Sequence, residues 1–255
     1  MSTFKIATWN VNSLRVRLPH VLAWLSANKP DVIALQEIKM PTEDFPYDEI
    51  KEAGYHAAVS GQKTYNGVAI LSRKESTDII TDMPGLDDHQ RRVLAATVDS
   101  IRILNLYVPN GESVGSEKFQ YKLHWLSKLD LFLKQELKKY PKLIVLGDFN
   151  IAPANIDVHD PALWDGHVLF SEQERKAFQA ILAVGFVDCF RHLSPDAVEY
   201  SWWDYRMNAF KRKMGLRIDH ILASAALDCK ACFIDKGPRA LERPSDHAPV
   251  VAEFS

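Results

Sequence analysis

The segment LIVLGDFNIAP, residues 143–153, joins a short apolar run to polar side chains that follow it directly. A run of four to eight apolar residues, rich in Val, Ile and Leu, is typical of a buried β-strand. Asp148 and Asn150 stand at the end of this run. The segment therefore predicts a buried strand that carries a carboxylate and an amide at its terminus.

Similar apolar runs recur along the chain and predict further buried strands. They span residues 4–9, 31–36, 67–71, 101–108, 218–222 and 248–254. Apolar residues near helical spacing after Ser116 predict a helix. Ser171 and Glu174 form a capping box ahead of a second helix, which Gly185 can close. Strands and helices thus alternate, which is typical of an α/β fold.

The number of strands indicates how they are arranged. About a dozen short strands would not form one comfortable open sheet, so we expect two sheets packed face to face with helices outside. The chain contains no fixed-period repeat, no low-complexity tract and no boundary rich in Pro, Gly and Ser. We therefore expect residues 1–255 to form a single domain; the order of the strands does not follow from the sequence.

Composition limits the classes of partner. The chain has 31 Lys and Arg against 33 Asp and Glu, a formal net charge of −2. Any binding of nucleic acid must therefore come from a local basic stripe. The first residues, MSTFKIATWNV, lack the basic and apolar regions of a signal peptide, and no apolar stretch approaches the roughly 18 residues that cross a bilayer. We expect a soluble, intracellular, cytoplasmic protein without membrane contact.

The three cysteines are Cys189, Cys229 and Cys232, an odd and sparse number that suits a reducing compartment. Cys229-x-x-Cys232 has the spacing of half a zinc site, but no complementary pair of Cys or His accompanies it. We therefore interpret the cysteines as thiols packed in strands.

Polar residues at strand ends are the main functional signal. Each of these alone is explained by a turn, but strand ends meet in layered α/β proteins, so a set of them predicts one pocket. The set is Asn10, Glu37, Tyr107, Asp148, Asn150, Asp219, Asp246 and His247.

The chemistry of this set favours a hard divalent cation, Mg²⁺ or Mn²⁺, because these ions prefer carboxylate and amide oxygens. The sequence has no G-x-S-x-G nucleophile elbow and no Gly-rich phosphate-binding loop. Metal-assisted hydrolysis of a phosphate ester is therefore the leading hypothesis.

Six motifs in order resemble the exonuclease III family of DNA repair nucleases. They are WNVNSLR (9–15), LQEIK (35–39), YVPNG (107–111), GDFNIAP (147–153), RIDH (217–220) and SDHAP (245–249). The resemblance covers nearly the whole chain. It implies a DNase I-like endonuclease/exonuclease/phosphatase fold, a four-layered α/β sandwich of two mixed sheets, and a metal-dependent DNA hydrolase of base excision repair. The wider superfamily, which includes phosphoinositide phosphodiesterases, shares part of these motifs.

The resemblance also implies a metal site. In a one-metal version, the ligands are Asn10, Glu37 and Asp246. In a two-metal version, Asp148, Asn150 and His247 are ligands as well. The sequence does not distinguish between these versions.

By the same resemblance, Asp148 activates the attacking water and Asn150 positions it. His247, oriented by Asp219, binds or protonates a phosphate oxygen, and Tyr107 contacts the phosphate or stabilises the leaving oxygen. His220 follows Asp219 directly, and neighbouring side chains on a strand face opposite ways. We therefore interpret His220 as structural.

The segment RMNAFKRKMGLR, residues 206–217, has five cations and no acid, and Trp202, Trp203 and Tyr205 precede it. Cations and aromatic rings together are typical of nucleic-acid surfaces, although a solvated basic loop has the same composition. The resemblance makes this segment, with Arg206, a DNA-contacting loop. It implies double-stranded DNA with abasic sites or damaged 3′ ends as the partner of a monomeric enzyme.

Further substrate contacts are expected from other segments. Phosphate-contacting groups are expected at Asn12, Lys39, Arg73, Lys118 and Asn110. The resemblance implies that Trp202, Leu216 and Ile218 form the wall of an apolar pocket for a base-less sugar that has left the duplex.

The loop that contains Trp164-Asp165-Gly166-His167 departs from the family pattern, which has small or amide residues there. We hypothesise that His167 narrows the pocket and favours 3′-end processing, namely 3′-phosphodiesterase, 3′-phosphatase and 3′–5′ exonuclease reactions. Three alternatives stay open: an abasic-site endonuclease in which His167 has no role, a catalytically silent nucleic-acid-binding regulator, and a lipid or inositol phosphatase.

Overall fold

The computed structural model describes residues 3–255. Twelve strands form two six-stranded sheets, and six α-helices cover them. The strands are β1 Phe4–Asn10, β2 Val32–Gln36, β3 His56–Ser60, β4 Val68–Ser72, β5 Thr77–Ile80, β6 Val93–Val98, β7 Ile101–Tyr107, β8 Leu143–Asp148, β9 Phe186–Asp188, β10 Asp219–Ser224, β11 Cys229–Ile234 and β12 Val250–Phe254. The helices are α1 Leu14–Asn28, α2 Tyr47–Glu52, α3 Glu117–Lys139, α4 Pro161–Trp164, α5 Glu172–Ala183 and α6 Cys189–Leu193.

Both sheets are mixed and have related topologies. The strand order is β11-β12-β1-β2-β4-β3 in the first sheet and β5-β6-β7-β8-β10-β9 in the second. Each sheet has one central parallel pair, β1 with β2 and β7 with β8, and the remaining pairs are antiparallel. The carboxyl ends of the two parallel pairs therefore provide two sets of strand ends.

Three apolar clusters divide the molecule into four layers. One cluster fills the space between the sheets with side chains such as Ile6, Ile70, Ile103 and Ile221. A second packs α1 and α2 on the outer face of the first sheet, and a third packs α3 and α5 on the second sheet. The predicted four-layered α/β sandwich is confirmed.

The predicted helix starts are confirmed by their caps. Ser116 accepts a hydrogen bond from the backbone of Phe119 at the start of α3. Ser171 and Glu174 form the capping box of α5. Within residues 3–255, no helix has both the length and the apolar composition that a bilayer span requires.

Two of the three cysteines lie where they were expected. Cys229 and Cys232 belong to β11, whereas Cys189 begins the short helix α6. The prediction of strand-packed thiols is therefore wrong for Cys189. All three cysteines are free thiols.

Candidate active site

The pairing register brings distant polar residues to one end of the sandwich. Parallel pairing aligns Tyr107 with Asp148, and antiparallel pairing aligns Asp148 with Asp219. Gly147 permits this close pairing, because a Cβ at this position would lie 1.9 Å from the carbonyl oxygen of Leu106. In the other sheet Asn10 pairs with Gln36, so that Glu37 follows at the same end.

Asp148, Asp219 and His247 form a buried cluster, which we call the catalytic centre. The Nδ1 atom of His247 lies 2.9 Å from Oδ2 of Asp219, and its Nε2 atom lies 3.7 Å from Oδ2 of Asp148. Over residues 3–255, these three are the one group of at least three acidic, His or Cys side chains whose potential ligand atoms lie within 4.8 Å of one another. The expected orientation of His247 by Asp219 thus has a direct geometric basis.

Burial and neighbouring charges shift the pKa values in the catalytic centre. Burial raises the pKa of Asp148 to about 7, against the lowering effect of His247. Burial acts to lower the pKa of His247, but the carboxylates of Asp219 and Asp148 outweigh it and raise the pKa to about 10. At neutral pH His247 is therefore a cation, and Asp148 can take up or release a proton.

Asn10 connects the two sheets at this end. Its side-chain amide donates to Oε1 of Glu37 and to Oδ2 of Asp148, both at 2.9 Å. Glu37 has φ +50°, and Asn150 has φ +49°. Backbone of this kind is uncommon for residues other than Gly and is concentrated at functional sites.

Lys39 and Asn12 continue the same hydrogen-bonded set toward Asp246. The Lys39 ammonium donates to Oδ1 of Asn12 at 2.5 Å and lies 2.9 Å from Oε2 of Glu37. Asn12 in turn donates to Oδ1 of Asp246 at 2.9 Å. Glu37 and Asp246 are therefore linked through Lys39 and Asn12.

This set fits a hard cation. The ammonium of Lys39 is already held by one carboxylate oxygen and one amide oxygen, so the pocket accommodates positive charge with the donor types that Mg²⁺ and Mn²⁺ prefer. Asn10 donates to the same Glu37 carboxylate, and Asp246 is connected to this position through Asn12; no sulfur ligand takes part among the described contacts.

Asn150 and Asn110 form a second amide pair beside Asp148. The backbone N–H of Asn150 donates to Oδ1 of Asp148 at 2.9 Å, and its side-chain amide donates to the carbonyl of Val108. Asn110 donates to Oδ1 of Asn150 at 3.2 Å. These bonds fix the orientation of the Asn150 amide next to Asp148.

Tyr107 faces the same space. Burial and the nearby carboxylates of Glu37 and Asp148 raise the pKa of its phenol well above the usual value. The guanidinium of Arg92 lies 4.7 Å from the centroid of the Tyr107 ring. Tyr107 is therefore a neutral hydroxyl donor at the end of β7.

The residues expected to form the apolar pocket lie next to Asp246. The indole N–H of Trp202 donates to Oδ2 of Asp246 at 3.0 Å. Leu216 and Ile218 are fully buried in an apolar cluster with Phe170, and Trp202 packs partly exposed against this cluster. The outer side of this cluster is therefore formed by Trp202 together with Trp164 and Val168.

His167 lies at the margin of this cluster and is exposed. Its backbone N–H donates to the carbonyl of Trp164, and its carbonyl accepts from Phe170. Trp164 and the next residue, Val168, pack against the cluster from the partly buried side. The turn thus holds the imidazole at the rim.

The cations of the basic segment, residues 206–217, differ in exposure. Lys211, Arg212 and Lys213 are exposed, and Arg206 is exposed and paired with Asp204. Arg217 is fully buried, with Asp157 and Asp188 2.7 and 2.8 Å away. The expectation that Arg217 belongs to a nucleic-acid surface is wrong, because its charge is already compensated inside the protein.

Arg73 and Lys118, two other residues expected to contact phosphate, lie in different parts of the molecule. Arg73 donates to the carbonyl of Pro30, at the start of β2, and is therefore remote from the carboxyl end of that strand. The expectation for Arg73 is wrong for this reason. Lys118 is exposed and pairs with Glu112 at 2.9 Å, near Asn110.

Some site residues lie outside the sequence predictions. Ser201 donates to Asp219 at 2.6 Å, and Ser245 donates to the carbonyl of Asn10 at 2.6 Å. The ammonium of the buried Lys122 donates to the carbonyls of Asn110 and Asn150 and to Glu174. The signal for Lys122 was present in the sequence, because this lysine lies on the apolar face of α3 between Phe119 and Leu126.

Comparison with known proteins extends this geometry. The sequence profile described as the Endonuclease/Exonuclease/phosphatase family matches residues 7–247. A curated relative, Exodeoxyribonuclease III of Haemophilus influenzae, is 39% identical over 98% of this chain and 99% of its own length.

Two solved structures cover almost the complete chain. The 3′ phosphatase NExo from Neisseria, solved with a product DNA hairpin, has a TM-score of 0.98 and 49% sequence identity, and the match covers 99% of both chains. An AP endonuclease from Archaeoglobus fulgidus has a TM-score of 0.96 and 42% identity, again over 99% of both chains. The chain is thus similar to enzymes with three different names: an exodeoxyribonuclease III, a 3′ phosphatase and an AP endonuclease.

Proposed function

The chain belongs to the endonuclease/exonuclease/phosphatase family. From this membership we propose which of its residues hydrolyse DNA and on which group of the DNA they act. The chain is a DNA repair phosphoesterase that acts on abasic sites or 3′ ends. The buried catalytic centre of Asp148, Asp219 and His247, at the shared strand ends, carries the proposal for the reacting groups. The span of the family profile, 7–247, supports one domain over residues 1–255.

Asn10, Glu37 and Asp246 hold the metal in this proposal, with Mg²⁺ or Mn²⁺ as the ion. The support is the oxygen-rich donor set and the positive charge that it already holds as Lys39. A divalent cation bound there supplies Lewis-acid stabilisation of the charge on the phosphate. The two-metal version, with Asp148, Asn150 and His247 as further ligands, makes greater demands, because the Asn150 amide already donates to Val108 and accepts from Asn110.

The protonated His247 binds a phosphate oxygen and neutralises its charge. Asp219 accepts from Nδ1 of His247, and Ser201 donates to the same Asp219 carboxylate, so the imidazole is fixed from behind. Asp148 accepts the proton of the attacking water, for which a pKa of about 7 is well matched at neutral pH. Asn150 keeps the second Asp148 oxygen in place through its backbone N–H.

Tyr107 donates its hydroxyl hydrogen to the phosphate or the leaving oxygen. Its raised pKa keeps the phenol neutral, and Arg92 donates to the Tyr107 carbonyl at 3.3 Å and holds the ring from the other side. Asn12, Lys39 and Asn110 contact neighbouring phosphates, since they lie at the entrance to the catalytic centre.

Processing of 3′ ends is the preferred reaction in our proposal. The imidazole of His167, exposed at the rim of the Trp202 cluster, narrows the space for an internal abasic sugar, whereas a terminal group enters from the open side. Trp202, Leu216 and Ile218 support the sugar, and Arg206 contacts the DNA backbone. The sequence identity to a 3′ phosphatase, 49% against 42% for the AP endonuclease, supports this preference.

A direct comparison of three substrates tests the function. The purified protein is incubated with Mg²⁺ and labelled duplexes that carry an internal abasic site, a 3′-phosphate or a recessed normal 3′ end. We expect release of the 3′-phosphate to be the fastest reaction, with every activity lost on addition of a chelator. An Asp148→Asn variant that retains full activity would show that another group activates the water.

The role of His167 is tested by His167→Gly on the same substrates. We expect incision of the abasic duplex to increase by roughly tenfold, the range of a steric effect of one to a few kcal/mol, with 3′-phosphate release unchanged. The matched control is His89→Gly, which changes a histidine in another loop. Unchanged abasic incision in His167→Gly would refute the gating role and favour an abasic-site endonuclease in which His167 has no part.

A further inference from the structure

All three cysteines of the chain meet at one edge of the sandwich. Strand β11 is the edge of the first sheet, and β9, which leads into α6, is the edge of the second. Helix α6 packs against β11, with Cα atoms of the two elements within 8 Å of each other. Cys189 of α6 and Cys232 of β11 are buried in the cluster between the sheets, and Cys229 packs against it.

A β-bulge places both β11 cysteines on the inner face. Residues three apart on a regular strand face opposite sides of the sheet. The register shifts between Cys229 and Ala231, which pair with Phe254 and Glu253, so that Lys230 is the extra residue. Bulges re-aim side chains in this way, and here the bulge turns Cys229 inward toward α6.

Cys189 and Cys229 share a cleft, and Cys232 lies outside it. The Cys229 thiol donates to the carbonyl of Ala231 at 3.3 Å, and the Cys189 and Cys229 thiols each shift the pKa of the other. They also line a small cleft of about 90 Å³, which reaches the surface beside His192. A cleft of this size admits a molecule slightly larger than water. Cys232 does not line the cleft.

We propose that Cys189 and Cys229 are an oxidisable dithiol, which hydrogen peroxide or another small hydroperoxide converts into a disulfide that joins helix α6 to strand β11. This site is independent of the proposed DNA chemistry. The disulfide closes the edge of the sandwich, whereas the catalytic centre lies at the ends of the central strands.

The two thiols have different roles in the reaction. The neighbouring Cys189 thiol lowers the pKa of Cys229, whereas the Cys229 thiol and burial raise the pKa of Cys189. The Cys229 thiol first releases its proton, its thiolate attacks one peroxide oxygen, and the O–O bond breaks. The leaving hydroxide takes up the released proton, so that a sulfenic acid and water form. The Cys189 thiol then attacks the Cys229 sulfur, the S–O bond breaks, and a second water leaves. Two thiols and one hydrogen peroxide thus give one disulfide and two waters.

Peptide mapping of the oxidised native protein tests this proposal. Reduced, metal-free protein is treated with hydrogen peroxide, the remaining thiols are alkylated under denaturing conditions, and the digest is analysed by mass spectrometry without reduction. We expect a linked peptide that contains Cys189 and Cys229, an alkylated Cys232, and reversal by dithiothreitol. Three alkylated thiols, or a link that includes Cys232, would overturn the proposal.

Variants and an unfolded control distinguish a built pair from chance pairing. Cys189→Ser should accumulate a sulfenic acid on Cys229, which dimedone traps, and the matched variant Cys232→Ser should form the same link as the wild type. The link should form at least tenfold faster in the native protein than in concentrated urea. Equal rates in the two conditions would show random pairing and would refute the proposal without reliance on any variant folding correctly.

Discussion

Arg217 and Asp219, which lie two positions apart at the start of strand β10, belong to two buried charge clusters of opposite character. The catalytic centre contains two carboxylates and one imidazole. The second group, which we call the closed cluster, consists of Asp157, Asp188, Arg191 and Arg217. Arg217 lies 2.7 Å from Asp157 and 2.8 Å from Asp188, and Arg191 lies 2.7 Å from Asp157. Two negative and two positive charges thus compensate each other in the closed cluster.

The pKa values of two buried carboxylates express this difference. Burial acts to raise the pKa of both Asp148 and Asp188. In Asp188 burial is the largest single effect, but the charges of Arg217 and His220 and the hydrogen bonds from Arg217 and the Arg191 backbone together outweigh it, and the pKa is below its usual value. In Asp148 the charge of His247 does not outweigh burial and the neighbouring Asp219, and the pKa is raised to about 7. Complete compensation is what we expect of a structural cluster, and incomplete compensation is what we expect of a reactive one.

The largest expected effect is the loss of activity in Asp148→Asn. We expect kcat for 3′-phosphate release to fall by about 10³-fold or more, since the proton acceptor is removed. The free energy of unfolding, measured in urea, should stay the same or rise, because burial opposes the charge of Asp148. The control Asp99→Asn changes a partly exposed carboxylate paired with Lys74. A large loss of stability in Asp148→Asn would place this residue with the structural cluster.

When the closed cluster is disrupted, we expect stability to fall and activity to stay unchanged. Asp157→Asn leaves Arg217 and Arg191 without a shared carboxylate, so the free energy of unfolding should fall by about 3–5 kcal/mol. The kcat of the folded enzyme, measured at low temperature, should be unchanged, because Asp157 does not contact the catalytic centre. A kcat that falls in parallel with stability would mean that the two clusters are not separate.

The sequence predicted the catalytic centre better than the closed cluster. The pattern of LIVLGDFNIAP and the other strand ends indicated Asp148, Asp219 and His247, because strand ends converge whatever the strand order is. The burial of Arg217 could not be predicted, since its partners Asp157 and Asp188 are 60 and 29 positions away and compensate it only in the folded chain. From composition alone, Arg217 was interpreted as part of the basic segment, residues 206–217.

The fold was predictable where apolar runs were strong. The seven predicted strands agree with the structure to within two residues at each end. Helix α1 contains Pro19, and its apolar residues are not confined to one face, so no helical periodicity was visible there. Strand β5 is an edge strand with exposed side chains and therefore lacks an apolar run.

His220 provides a pH-dependent measure of the closed cluster. Burial and Arg217 lower its pKa to about 4, and its Nδ1 atom accepts from Arg217 at 3.0 Å. The unfolded chain, with a histidine pKa of about 6.5, binds more protons between pH 4 and 6.5. The stabilisation is therefore complete above pH 6.5 and is lost as the pH falls toward 4, by about 3 kcal/mol in total.

Urea unfolding of the wild type and His220→Gln across pH 4–8 measures this contribution. The variant should show a shallower dependence on pH, by up to about 1.4 kcal/mol per unit in this window. His56→Gln, at an exposed position of β3, should keep the wild-type dependence. Identical slopes in the wild type and His220→Gln would show that His220 is not held neutral by the closed cluster.

The smallest expected effect concerns binding of the metal without any substrate. Glu37 and Asp246 add two negative charges near the catalytic centre, and Lys39 compensates only one of them, so this region gains stability from a divalent cation. At a Mg²⁺ concentration ten times the dissociation constant, the gain is about 1.4 kcal/mol, or a Tm increase on the order of 2–4 °C.

Glu37→Gln should abolish the increase, whereas Asp157→Asn should retain it at a lower starting Tm. Potassium chloride at equal ionic strength controls for screening of surface charges. Because the closed cluster has no charge left to compensate, an equal Tm increase in Glu37→Gln would locate the cation elsewhere and remove the link between incomplete compensation and metal binding.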